Sequence, residues 1–186
     1  MAAFAVAVKI DTIAYMPVQD FGNAFSVFVA QNFSAGKKDR IRAGMKSAGI
    51  SVAVFCAVIS TAVCFAKTLM QIFVSGSDEV VRTGVQYLRI EGMFYIGIGI
   101  LFMLYGYYRA VSRPGVSVVL TVISLGTRVL LAYTLSAVSW IGVAGIWGSI
   151  PIGWFLADFA GILLLKKKPD IEKIAGYSIM KSKIKG

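Results

Sequence analysis

Ionisable side chains lodged inside long apolar runs are the feature of this sequence most able to do chemistry. Asp20, Glu91, Arg128 and Asp158 all sit there. Each charge held within a lipid-spanning helix costs about 2.5–3.5 kcal/mol on the insertion scale, so each needs a partner, a wet cavity or a ligand. Asp20 follows Pro17 by about one helical turn, which places a carboxylate beside a backbone break suited to a cation, a proton or a substrate. Gln19 and Asn23, four residues apart, share a helix strip and can line the same cavity through hydrogen bonds. Arg128 lies roughly 21 Å along its run from the Arg109–Arg113 turn, beyond the reach of snorkelling, and Asp20 and Glu91 are its available partners. Asp158 is closer to a basic end and is expected to pair with Arg109 or Arg113 or to reach the interface. Lys9, Asp11, Arg89 and Glu91 occupy outer thirds of their runs. Charges two residues apart point about 200° apart on a helix, so these four are expected to pair between helices or to line a vestibule. Phe94, Tyr95, Phe102, Tyr105 and Tyr108 recur at near-helical spacing and offer either a packing surface or an apolar wall tolerant of a cation.

Other chemistries find no residues to carry them. The chain has no histidine, which removes His-based metal sites and Ser-His or Cys-His nucleophiles. Cys56 and Cys64 fall on one predicted helix roughly 12 Å apart along its axis, too far for a disulfide. There is no phosphate-binding loop, metal-ligand cluster or nucleophile constellation, so the sequence is not that of an enzyme and calls for no cofactor. A net charge of +10 raises the question of nucleic acid. The positive residues nevertheless fall between and after apolar runs rather than on an interleaved polar face, so no nucleic-acid partner is implied.

The elements that must position these residues are membrane helices. The chain has 186 residues, 58% of them apolar and only 15% charged. Five transmembrane helices are expected, at about 3–33, 47–74, 85–108, 114–138 and 141–165, forming an all-α polytopic bundle over 1–165. A basic tail, 166–186, follows. Pro17 is expected to interrupt the first helix and Pro151 the fifth. Residues 37–46 carry Lys37, Lys38, Arg40, Arg42 and Lys46 against Asp39, and Arg109, Arg113 and the tail add further positive charge. These basic segments alternate with the stretch Ser75–Gly84 and the turn at Ser139 and Trp140, which have no positive excess. The positive-inside rule then puts the basic segments and the C-terminus in the cytoplasm, and the N-terminus outside a cell (inner or plasma) membrane. Tyr87, Trp140, Trp147, Tyr107 and Tyr108 are expected near the interfaces. An odd number of spans with an external N-terminus suggests a chain whose earlier helices are missing, and Met1–Val8 has no signal-peptide pattern.

The order of these elements carries a resemblance. The run MPVQDFGNAFSVFVAQNFSAGKKDRI, the stretch from Tyr87 to Val129 and GIWGSIPIGWFLAD resemble the C-terminal lobe of multidrug and toxic compound extrusion (MATE) transporters, over nearly all of 1–165. The most specific part is AQNFSAGKKDRI, similar to the family's Q-N-x-G-A-G-K-x-x-R, with Ser34 where glycine is usual. The resemblance implies two six-helix lobes related by an axis along the membrane normal, of which this chain would supply helices eight to twelve. An N-terminal lobe and a seventh helix would be the missing partners. It also implies secondary active efflux of small organic, often cationic, compounds against a coupling ion, H+ or Na+. In helix ten the position where sodium-coupled members carry aspartate falls near Ile98, with Phe94 one turn before, and no carboxylate is there. From the residues, Gln19, Asp20, Asn23, Glu91, Tyr95 and Arg128 are the candidates to face the cavity. Two rival readings are a flippase for lipid-linked oligosaccharides of the same superfamily, which would want a cationic cavity for pyrophosphate, and a truncated scaffold inert alone.

Overall fold

In a computed structural model, residues 2–73, 78–137 and 143–166 are described. The described residues form helices and short turns, without strands. They are α1 (Ala2–Ser34), α2 (Lys38–Ala62), a 3-10 turn (Val63–Phe65), α3 (Ala66–Phe73), α4 (Asp78–Gly92), α5 (Tyr95–Ala110), α6 (Pro114–Ser136) and α7 (Val143–Lys166). The turn at Ser139 and Trp140 and the tail beyond Lys166 lie outside the described residues.

Three stretches are long and apolar enough to cross a membrane: Lys38–Ile72, Pro114–Ser136 and Ala144–Lys166. A fourth qualifies if the bent pair Val81–Gly92 and Tyr95–Ala110 is one span. The first of the five expected spans, α1, is not in this set. At 33 residues it has ample length, but Lys9, Asp11, Gln19, Asp20 and Asn23 dilute its apolar character.

Other boundaries differ for local reasons. The segment 37–46 was expected as a basic loop, yet α2 starts at Lys38, so Arg40, Arg42 and Lys46 ride on its first turns. The connection to α1 is short because Gly36, at φ +69°, ends that helix in a Schellman motif. Gly36 N–H donates to the Phe33 carbonyl at 3.0 Å and Lys37 N–H to that of Asn32 at 2.8 Å. The same motif ends α5, where Arg113 N–H reaches the Tyr108 carbonyl at 2.9 Å and Ser112 takes the left-handed position at φ 60°. Pro114 then opens α6 at a position where its missing N–H has no cost.

Pro17 and Pro151 do not end their helices: α1 and α7 run through both. The break falls instead inside the third expected span, at Met93 and Phe94, where α4 and α5 meet at 52°. Side chains of α2 satisfy carbonyls at this break. The Ser60 hydroxyl donates to the Gly92 carbonyl at 2.6 Å and the Cys56 thiol to the Tyr95 carbonyl at 3.4 Å. A non-helical joint at membrane depth is tolerable on these terms, with its polar backbone buried against protein.

The most extensive helix pairs are α6 with α7 and α1 with α5. The second is a backbone contact. Gly106 faces the Gly22 carbonyl, and a Cβ on Gly22 would come within 2.9 Å of the Phe102 carbonyl oxygen. Small residues at such crossings let helices gain close packing without a hydrophobic driving force from water. By contrast the α6 face bearing Val118, Val122, Leu125 and Val129 is exposed, as suits a lipid-facing or partner-facing surface.

Candidate functional site

The break in the third span organises the polar interior. Tyr87, Glu91 and Tyr95 follow one another at intervals of four, so they would share one strip of a continuous helix. The joint at Met93 and Phe94 bends that strip, leaving Tyr87 and Glu91 on α4 and Tyr95 in the first turn of α5. All three are buried, with exposures of 4%, 2% and 2%. Asp11 of α1 is also buried and meets them. The Tyr95 hydroxyl donates to Asp11 Oδ1 at 2.6 Å and the Tyr87 hydroxyl to Oδ2 at 3.4 Å. Tyr87 is within hydrogen-bonding reach of Glu91 as well, whose Oε1 has no partner among the described residues. Trp147 of α7 closes the far side, its ring set edge-on to Tyr87 at 5.9 Å.

Two carboxylates thus lie close enough to interact, with the positive charge of Arg128 acting on both. Arg128 itself is exposed. The hydroxyls distinguish the two acids: Asp11 accepts from Tyr95 at 2.6 Å and from Tyr87 at 3.4 Å, whereas Tyr87 is the hydroxyl within reach of Glu91.

Of the residues singled out from sequence, Glu91 and Tyr95 come together here, with Arg128 near enough for its charge to act on Glu91. Gln19, Asp20 and Asn23 do not join them. All three are exposed on α1, and Asn23 Oδ1 accepts a 2.8 Å bond from Arg109 Nη2 at the opposite end of α5. The acid near Arg128 from α1 is Asp11 rather than Asp20. Lys9 and Arg89 point outward, so the contact between the first and third expected spans joins acid to acid, not acid to base. The sequence signal for this cluster was the Tyr-x3-Glu-x3-Tyr spacing, whose strip is turned inward by the Asp11 contact.

Asp158 also departs from expectation. Neither Arg109 nor Arg113 pairs with it; it is 4% exposed, and both its oxygens are without partners among the described residues. The aromatic set of α5 does not form one wall. Tyr108 is buried and donates to the Gly161 carbonyl at 2.7 Å, while Phe94 stacks edge-on with Phe155 at 5.9 Å. Tyr87, Tyr107, Tyr108 and Trp147, expected at the interfaces, are all buried between helices. Cys56 and Cys64 are free thiols.

Fold and site together define a multi-pass helical membrane protein with a buried, tyrosine-bound carboxylate pair. The MatE family model matches residues 1–134, and the chain belongs to that family, the one its sequence resembles. It is similar to the "Probable multidrug resistance protein YpnP" of Bacillus subtilis (strain 168), at 28% identity over 166 residues. That alignment covers 88% of this chain and 36% of the relative, so the chain spans about a third of the relative's length.

Proposed function

We propose that this chain forms the C-terminal part of a secondary active exporter, in which organic, often cationic, compounds leave a cell in exchange for H+ or Na+ by alternating access. The observation that carries this reading is the Asp11–Glu91 pair seated at a bent joint between two helices. An ion alters access only if it binds one conformation better than the other. A carboxylate pair wedged against a joint has that property, because taking up or losing charge changes what the interface between α1, α4 and α5 must solvate. Hydroxyl donors already occupy Asp11 while Glu91 Oε1 is unpartnered among the described residues, which favours H+ over Na+ with Glu91 as the acid that exchanges it.

The exposed strip of α1 with Gln19, Asp20 and Asn23, together with Arg128, supports a polar cavity shared with a partner lobe. Facing lipid, Asp20 and Arg128 would each cost about 2.5–3.5 kcal/mol. The similar protein's printed name, a probable multidrug resistance protein, points to the same class of cargo. The basic ends at Lys38–Arg42 and Arg109–Arg113 are assigned to the cytoplasm, with the N-terminus outside.

Efflux of ethidium from cells expressing the protein, energised by a pH gradient, tests this reading. Glu91→Gln and Asp11→Asn are expected to lower the rate at least tenfold without loss of the protein from the membrane. Unchanged efflux in both variants would remove the pair from coupling, and efflux that follows a sodium gradient alone would reassign the ion.

A further inference from the structure

Towards each end of α5 a tyrosine lies near an acid. At one end Tyr95 binds Asp11 within the cluster described above. At the other, ten residues and roughly 15 Å along the helix, Tyr105 lies close enough to Asp158 of α7 to feel its charge. Asp158 has no role in the exchange reading and none of the usual compensations for burial. It is 4% exposed, neither of its oxygens has a donor, and no cation pairs with it among the described residues.

Each element packed around it offers little to an anion. On α5, Tyr105 engages Thr121 and Tyr108 spends its hydroxyl proton on the Gly161 carbonyl, while Arg109 is turned to Asn23. On α6, the Thr121 hydroxyl donates to the Ser117 carbonyl at 2.9 Å, and Arg113, at the start of that helix, makes no ion pair with Asp158. Below Asp158 on α7, Gly161 packs against Leu104 and Leu120, and Lys166 is exposed at the helix end. An ionised carboxylate in such surroundings would lose its hydration with nothing to offset the loss.

We propose that Asp158 is a second proton-binding site, separate from the Asp11–Glu91 pair and placed towards the end of the bundle that carries Arg109, Arg113 and Lys166. It takes one proton from water and becomes a neutral carboxylic acid, and no other group changes charge. The site does not bind an alkali cation, which would need several converging oxygens where the structure offers one carboxyl group. Because the assignment concerns a protonation state, it does not rest on the exchange reading.

Infrared spectroscopy of the chain reconstituted in phosphatidylcholine vesicles at neutral pH reads this state directly. A carbonyl band of a protonated carboxylic acid is expected, shifted by carbon-13 labelling of aspartate side chains and lost in Asp158→Asn. It should persist in Asp11→Asn and Glu91→Gln, which separates the two sites, and should not respond to sodium. Should Asp158→Asn fail to fold, Asp158→Glu retains the acid and moves the band out of reach of the aspartate label. If the aspartate-labelled protonated band is absent from the unaltered chain, is unchanged in Asp158→Asn, or fades on adding sodium, the proposal is overturned.

Discussion

A single hydroxyl at 2.6 Å anchors Asp11 in the carboxylate pair. Tyr95 is 2% exposed and its hydroxyl is the shorter of the two donors to Asp11. Tyr95→Phe removes that donor while keeping the ring, leaving a buried acceptor short of a partner. A loss of about 1–3 kcal/mol is expected, seen as a lower thermal unfolding midpoint in detergent. Glu91→Gln should act oppositely on stability. It replaces an acid next to another acid by a neutral group of the same shape, so the midpoint should hold or rise even as pH-driven efflux is lost. A fall as large as that of Tyr95→Phe would show that Glu91 is itself a held anion.

At the scale of elements, three helices owe their placement to features that make testable demands. The contact of α1 with α5 requires that neither Gly22 nor Gly106 carry a side chain, because the obstacle on each side is backbone. Gly106→Ala should cost roughly 1–3 kcal/mol, the usual range for overpacking, and chemical denaturation in mixed micelles would measure it. At the α5 terminus the sign reverses. Ser112 holds φ 60°, a conformation that disfavours side chains by about 1–2 kcal/mol. Ser112→Gly is therefore expected to raise the unfolding midpoint, and a fall would mean that the hydroxyl does more than the backbone requires. The joint between α4 and α5 depends on Ser60. Without its 2.6 Å bond the Gly92 carbonyl is left unpaired, so Ser60→Ala should loosen the joint and speed amide exchange across 89–97.

For the whole molecule, the proposed orientation and the polar strip on α1 make demands that labelling can check. Single cysteines placed at Arg42 and Arg113, in a background lacking Cys56 and Cys64, should react with an impermeant maleimide only from the cytoplasmic side. A cysteine at Glu79 should react only from outside. Labelling of a cysteine at Asn23 by the same reagent, and none at Val122, would support a wet surface on α1 and an apolar one on α6. The opposite pattern would turn α1 towards lipid.

Sequence alone determined the class of this protein because hydropathy, charge placement and terminating residues are local. Runs long enough to span lipid, basic residues clustered at their ends, Gly36 closing α1 and Pro114 opening α6 all act through a residue and its immediate neighbours. The family pattern at AQNFSAGKKDRI is likewise contiguous, and the match over 1–134 confirms it. Which polar residues meet was decided only by tertiary structure, since a helix of 3.6 residues per turn offers every side chain some direction and the packing chooses among them. Asp11 and Asp20 are equally acidic and lie on the same helix, yet Asp11 is turned into the bundle and Asp20 out of it. The bend between α4 and α5 was likewise invisible, because it needs Ser60 and Cys56, distant in sequence, to receive the carbonyls beside it, whereas Pro17 and Pro151 leave their helices continuous. Asp158 shows the same limit: arginines at the same basic end of the bundle promise it a partner, and folding directs one of them to Asn23.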